Sequence, residues 1–389
     1  VSARLSCIAI LAASALAFGG CGGGGGAKGG AKAAEKGLPP ANPLAVQRMV
    51  EGVTAAKDPR MQTRAIALLR EAVQIDPNLW EARFDLGVVL ANGGDLAGAE
   101  EQLRAAAKTA PEREEVAVAL AEVRRRRGSN KDAAASLEDF VKDHPSALEA
   151  RTLLVAALRD SGQHDRAIQN AREVLVRKPG DATALAELAL CHLGKGERDT
   201  AQLLVKQALD VNAKSAVAHR VQGLVFLGGG DDAAAFQAFS KAAQEDPRDT
   251  TSRLNMGAVL LRAGAYVKAA EQYKSALAAA PEDPAAQVGL AAALRGESEG
   301  KNAKQLEEAR VLLEKVLEKD PHNIAASYNL GVLYAESLKK PAEARPHFER
   351  FLEDAPKDHP SRADAERQVA GGSGAGPGAG AATAAPPKK

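Results

Sequence analysis

Prolines mark this chain at a fixed interval. They stand at 77, 111, 145, 179, 247 and 281, each 34 residues after the last except for one gap of 68, whose midpoint is Ala213. A period of this size in a chain of 389 residues means one supersecondary unit repeated, in a fold that grows by stacking rather than by closing a single core. Pro321 and Pro356 lie 40 and 35 residues further on, which places an insertion of about six residues near 296–301 and one extra residue near 337–341.

Other columns keep the same register. Nine residues past each mark stand Leu86, Leu120, Leu154, Leu188, Gln222, Met256, Leu290 and Leu330, followed at once by Gly87, Ala121, Val155, Ala189, Gly223, Gly257, Ala291 and Gly331. Twenty-two residues past each mark the column is Ala throughout: Ala99, Ala133, Ala167, Ala201, Ala235 and Ala269, continued by Ala309 and Ala344 once the insertions are allowed for. Small residues let two helix backbones approach closely, and each column Leu buried against the next pair contributes about 2 kcal/mol. Gly, Asp and Asn gather between the helices, as in Asn92-Gly93-Gly94-Asp95 and Gly228-Gly229-Gly230-Asp231-Asp232, supplying a turn and an N-cap. Proline then stops the second helix by removing a backbone donor. Aromatics are only 3% and charged residues 26%, the composition of amphipathic helices packed through small side chains, and strands are not expected.

The reading is an all-α chain of nine helix pairs, the first degenerate: 44–77, 78–111, 112–145, 146–179, 180–213, 214–247, 248–281, 282–321 and 322–356. A polar capping helix is expected over 361–370, making a solenoid over 44–370, and 371–389 is a Gly/Ala/Pro tail that cannot bury enough surface to fold.

These columns resemble the tetratricopeptide repeat, with its Leu-Gly pair in the first helix, Ala and an aromatic in the second, and Pro at the end. The stretch Leu254-Asn255-Met256-Gly257, then Ala269, Tyr273, Ala276 and Pro281, follows the pattern most closely, with Tyr328-Asn329-Leu330-Gly331 to Pro356 next. The one Trp, Trp80, stands three positions early. The resemblance covers about residues 44 to 356 and implies an α-solenoid superhelix with an inner groove for protein partners. Carried over residue by residue, the groove positions are Phe84, Val88, Asn92, Val118, Glu122 and Arg125 in the early pairs. In the middle and late pairs they are Leu190, Leu193, Arg220, Leu224, Leu227, Leu254, Leu261, Arg262, Arg295, Tyr328 and Val332. The apolar stretch from Leu190 to Leu261 implies an extended or helical apolar segment of a partner, or else side chains that curvature packs against each other. Arg159, Arg220, Arg262 and Arg295 either receive carboxylates or keep the groove solvated. Repeats that grip acidic C-termini carry Asn just after the Leu-Gly pair; Val88, Leu190, Leu224, Ala258 and Val332 stand there, so that kind of clamp is not expected.

The N-terminal segment reads as an export signal: Arg4 precedes an apolar run from Leu5 to Phe18, too short to span a bilayer. Phe18-Gly19-Gly20-Cys21 resembles the bacterial lipobox, with Phe18 departing from its usual Leu, and this implies a signal over 1–20 and lipidation at Cys21. The competing site, Ala15-Leu16-Ala17, would leave a soluble periplasmic protein. Residues 21–43 have the Gly/Ala/Lys/Pro composition of a flexible tether. Lipoprotein chemistry anchors a chain durably through several acyl groups, and Gly22, in place of the Asp that retains lipoproteins at the inner membrane, points to the outer membrane, facing the periplasm.

Several function classes fall away. A net charge of +1 gives no field toward nucleic acid, and the run Arg124 to Arg127 reads as a solvated face helped by the helix dipole, with a phosphate or acidic-peptide contact as the alternative. Gly22 to Gly26 with Lys28 lacks the ending and flanking elements of a phosphate loop. The seven histidines show no metal-ligand spacing, and no paired carboxylates or nucleophile–base set can be isolated. Cys191 reads as a small buried hydrophobe. The expectation is therefore a non-enzymatic scaffold without cofactor, metal or small-molecule substrate, touching the membrane only through its lipid. Export, lipobox and repeats together resemble lipoproteins of gliding-motility complexes. The alternatives are pilotin-like factors that assemble a pilus secretin, or an accessory regulator of a cell-wall enzyme.

Overall fold

The structure, a computed structural model, describes residues 40–371. The expected signal segment 1–20, Cys21, nearly all of the tether and the tail beyond residue 371 lie outside the described residues. The described chain is helical throughout, without strands, and divides after Pro179 into two compact units.

The first unit holds four helix pairs: α1 (Pro43–Ala55) with α2 (Gln62–Ile75), α3 (Trp80–Asn92) with α4 (Leu96–Thr109), α5 (Glu114–Arg126) with α6 (Asn130–Asp143), and α7 (Leu148–Asp160) with α8 (His164–Arg177). The second holds five: α9 (Ala182–Gly194) with α10 (Arg198–Val211), α11 (Ala216–Gly228) with α12 (Asp232–Glu245), α13 (Thr250–Arg262) with α14 (Tyr266–Ala279), α15 (Pro284–Ser298) with α16 (Ala303–Lys319), and α17 (Ile324–Val332) with α18 (Pro341–Asp354). A short last helix, α19 (Arg362–Val369), packs on α18. Within each unit a first helix packs on its own second helix, and that second helix on the first helix of the next pair.

Close approach of the two backbones sets the geometry of a pair. A Cβ added to Gly87 would stand 2.6 Å from Leu103 Cγ, one on Gly257 2.6 Å from Tyr273 Cζ, and one on Gly331 2.8 Å from Phe348 Cε1. These distances are shorter than any carbon contact permits, so only glycine admits the large side chain of the second helix there. Tyr273 is gripped from both sides, since a Cβ on Gly289 of the following first helix would also run into its ring. The Ala column is wholly buried, from Ala99 to Ala344, and of the Leu column all but Gln222 is buried.

The turn inside each pair repeats as strictly as the packing. Gly94, Gly128, Gly162, Gly196, Gly230 and Gly264, spaced by 34, all have φ between 70° and 89°, the left-handed region that glycine enters without a Cβ clash. Side chains of Asp95, Asp181, Ser215, Asp231, Asp249, Asp283, Asn302 and Asn323 then cap the helix that follows them. The two length irregularities are absorbed without breaking the stack. The insertion lengthens both helices of its pair, α15 to 15 residues and α16 to 17, where their counterparts in the preceding pair have 13 and 14. After α17 the chain widens into a π turn, Leu333–Ser337, in which Leu338 N–H donates to Leu333 C=O at 3.0 Å. One extra residue is accommodated by such an i→i+5 turn while the packed face stays in register.

Tyr273 yields a paired prediction. Its hydroxyl is buried with no hydrogen-bond partner among the described residues, so Tyr273→Phe is expected to raise stability by about 1 kcal/mol or more. Gly257→Ala is expected to lower it by about 1–3 kcal/mol, because overpacking against a ring held on both faces exceeds the gain of up to about 1 kcal/mol from helix propensity. Urea unfolding followed by circular dichroism checks both signs.

Candidate partner-binding faces

The first helices of neighbouring pairs touch one another in each unit, α1 to α3, α3 to α5 and α5 to α7 in the first, and α9 to α11, α13 to α15 and α15 to α17 in the second. Each unit therefore presents a row of first helices, and the residues carried over from the repeat pattern lie on these rows.

In the first unit the row is charged and locked. Arg125 uses its whole guanidinium: Nε and Nη2 donate to Asp160 Oδ2 at 3.2 and 2.5 Å, and Nη1 donates to Glu122 Oε2 at 2.9 Å. Arg159 donates to the other oxygen of Asp160 at 3.0 and 2.7 Å. The Arg125 and Asp160 side chains keep only 9% and 13% of their surface. Burial pushes the Glu122 carboxyl above the usual carboxylate range against the pull of Arg125. The expectation of a solvated Arg124–Arg127 face is corrected here. It holds for Arg126 and Arg127, which are exposed, Arg127 pairing with Glu100 at the surface. Arg124 is half-buried on Glu100 and Arg125 is enclosed between two helices, so two of the four arginines are structural.

Asp85 stands between Phe84 and Leu86 on α3. Its carboxylate pairs with no cation among the described residues. Burial, then the nearby charge of Glu81, pushes its pKa up to about 7.

In the second unit the row is apolar. Leu190 and Leu193 on α9, Leu224 and Leu227 on α11, and Leu254 on α13 are all half-buried, with part of each side chain still open to water. Leu224 and Leu227 lean on the cluster of Ala235, Phe239, Ala243 and Met256. One buried ion pair crosses the same row: Arg220 Nη1 donates to Asp249 Oδ2 at 3.1 Å, and Ser252 Oγ to the same oxygen at 2.6 Å. Burial alone would raise the Asp249 pKa, but Arg220 and the Ser252 donors outweigh it and hold the carboxyl below its ordinary range.

Not every carried-over residue is available to a partner. Phe84 is buried, packed edge-on against Trp80, and the Arg113 guanidinium lies 5.0 Å from the Trp80 ring. Val88 is half-buried against the same core. Leu261 is fully buried in the cluster with Leu294 and Leu306. Tyr328 and Val332 are buried with Phe348 and Phe351, and the Tyr328 hydroxyl donates to Asp364 of α19 at 2.9 Å, because the last pair is covered by the capping helix. Arg220 is committed to Asp249, and Arg262, exposed, donates to Asp232 at 3.2 and 2.5 Å. Among the described residues Arg295 reaches only Glu336, Nη1 to Oε2 at 3.4 Å. Cys21 lies outside the described residues. Asp85, Asp160 and Asp249 were not singled out by the sequence, since nothing separates them from the many surface acids until the helices are packed.

His192 Nδ1 lies 2.6 Å from Glu197 Oε2, and His219 Nε2 lies 2.9 Å from the Ala213 carbonyl. Among the described residues no three His, Cys, Asp or Glu side chains converge as metal ligands, and no helix is long and apolar enough to cross a membrane.

A family model described as tetratricopeptide repeat matches residues 63–123, 158–224 and 302–368, together half of the chain, and another of the same description matches 118–182. No curated protein matches the chain significantly. Among solved structures, one described as the APC/C hetero-tetramer Cut9–Hcn1 superposes with a TM-score of 0.56 at 13% identity, over 84% of this chain and 63% of that one. This chain thus spans less than two thirds of it, and the likeness is one of fold. PilW, described as a widely conserved type IV pilus biogenesis factor, gives a TM-score of 0.44 at 17% identity over 53% and 96% of the two chains. A thermophilic protein of Thermus thermophilus with the same repeats gives 0.42 at 23% over 47% and 99%.

Asp85 makes stability depend on pH. Below its ordinary pKa of 3.8 it is protonated in both folded and unfolded chain. Between there and about 7 the unfolded chain ionises while folded Asp85 keeps its proton, so its contribution to stability falls as pH rises and levels off above about 7. Asp85→Asn is expected to leave stability near pH 4 almost unchanged and to raise it at pH 8 by about 2–4 kcal/mol. Chemical unfolding at the two pH values measures the difference.

Proposed function

Since this chain belongs to the tetratricopeptide repeat family, we propose that it is a non-enzymatic scaffold whose second unit holds an apolar segment of a protein partner on its row of first helices. The observation that carries this reading is the set of five half-buried leucines, Leu190, Leu193, Leu224, Leu227 and Leu254, on successive first helices. Leucines that pack on one side and meet water on the other gain about 25 cal/mol for each Å² that a partner covers, and a contiguous patch of them marks an interaction site. The first unit is the complementary case. Its row is closed by the Arg125–Glu122–Asp160–Arg159 network, which a partner would have to break before binding there.

The N-terminal segment supports a place for the scaffold. Arg4, the apolar run from Leu5 to Phe18 and the lipobox-like Phe18-Gly19-Gly20-Cys21 favour export and lipidation at Cys21, with the Gly-rich segment 22–30 as the start of a tether. In this reading the protein is an outer-membrane lipoprotein facing the periplasm. Nine repeats on a long tether favour a part in assembling an envelope machine of the gliding-motility type.

Two measurements test the proposal in its two parts. Leu224→Glu with Leu254→Glu is expected to abolish copurification of envelope partners while circular dichroism stays unchanged, and undiminished copurification would remove the apolar face as the binding surface. Cys21→Ser is expected to move the protein from the membrane to the soluble fraction of the envelope, and unaltered fractionation would exclude the anchor.

A further inference from the structure

Arg295 stands on the row of first helices in the second unit, and we propose that it is a carboxylate-binding subsite for the acidic side chain of a bound partner, with Glu336 as the displaceable occupant. The inference rests on the scaffold reading and adds a charge to the apolar segment proposed there.

Arg125 and Arg295 occupy equivalent places, five residues after the Leu-column residues Leu120 and Leu290. Each reaches toward an acid six residues after the Leu-column residue of the next pair, Asp160 after Leu154 and Glu336 after Leu330. Arg125 is saturated: two nitrogens on Asp160, one on Glu122, and almost no exposed surface. Arg295 is not. The place of Glu122 is taken by Ala292 and, among the described residues, its buried Nε has no partner and its one ion pair is a single 3.4 Å contact to Glu336, whose side chain is 54% exposed. A guanidinium offers a planar fork of donors that a carboxylate fills bidentately, and a buried N–H left out of that arrangement is a cost that a better-placed carboxylate removes.

Glu299, four residues further on, pairs with Lys301 at 3.3 Å instead. The surroundings explain why the pair is loose. The insertion that follows Arg295 meets the π turn that carries Glu336, with a Cβ position on Gly300 3.9 Å from the Ser337 carbonyl oxygen. The two non-glycine residues of positive φ among the described residues, Glu299 (47°) and Lys339 (57°), flank these segments. Backbone strain and π turns gathered at one place are the usual setting of a ligand site.

The test is a titration of the full-length protein with propionate, read by the Arg295 Nε–Hε resonance in a proton–nitrogen correlation spectrum. The resonance is identified by its loss in Arg295→Lys. It is expected to move saturably with propionate and to ignore propionamide, the uncharged isostere. Glu336→Gln, at an exposed position that does not threaten folding, is expected to lower the half-saturating concentration about threefold, the size of one exposed ion pair removed as competitor. No saturable shift, an equal response to propionamide, or no change in Glu336→Gln would each overturn the subsite. Tighter binding of inorganic phosphate than of propionate would overturn the carboxylate assignment. The leucine double variant does not touch this readout, so the two proposals fail separately.

Discussion

The architecture depends on how closely two helices of a pair can come. Glycine at 87, 223, 257 and 331 receives the side chains of Leu103, Phe239, Tyr273 and Phe348 at distances no Cβ would allow. Buried alanines of the second helix, from Ala99 to Ala344, let the approach repeat in every pair. Once that approach is set, the length of a pair is set with it: two helices of 13 and 14 residues, a glycine turn between them and a short connection after them. The insertion in the α15–α16 pair obeys the same constraint, because lengthening both helices keeps their shared face in contact, whereas a bulge in one alone would not. The π turn after α17 solves the one-residue case in the same way.

On this common frame the two units carry opposite surface chemistry. A single guanidinium decides the character of the first unit, since Arg125 ties α5 to α7 and is itself enclosed by the acids it binds. Such a network is costly to break once formed, because any removed partner leaves a buried charge behind. The second unit has leucines at the corresponding places, Leu193 and Leu227, and these bind nothing directionally. Apolar surface of that kind accepts many partner shapes, and the charged groups around it decide which one is held and in what register.

Much of this was legible in the residues. The repeat, the pair boundaries, the small-residue columns and the N-cap positions follow from spacing, because each is a local consequence of helix geometry. The groove was legible only in part. Leu190, Leu193, Leu224, Leu227 and Leu254 lie half-open on the first helices, but Leu261, Tyr328, Val332 and Phe84 occupy equivalent pattern positions and are buried. The difference comes from what covers each helix: α19 over the last pair, and Trp80 beside Phe84. A position in a repeat gives a direction from the helix axis and says nothing of the neighbour it meets.

Charges were the least legible part. The run Arg124 to Arg127 reads as surface, yet two of its four members, Arg124 and Arg125, are held on Glu100, Glu122 and Asp160. Asp85 reads like any other acid of an amphipathic helix, yet it is half-buried and, among the described residues, pairs with no cation. The sequence by itself determined the period, the helix pairs and their close-packed faces, because those depend on side-chain size at fixed spacing along one or two helices. Which arginine is enclosed and which stays open to water, and which acid keeps its proton, only the tertiary structure decided. Electrostatic energy depends on burial and on partners some 24 to 41 residues away along the chain, and no local pattern encodes either.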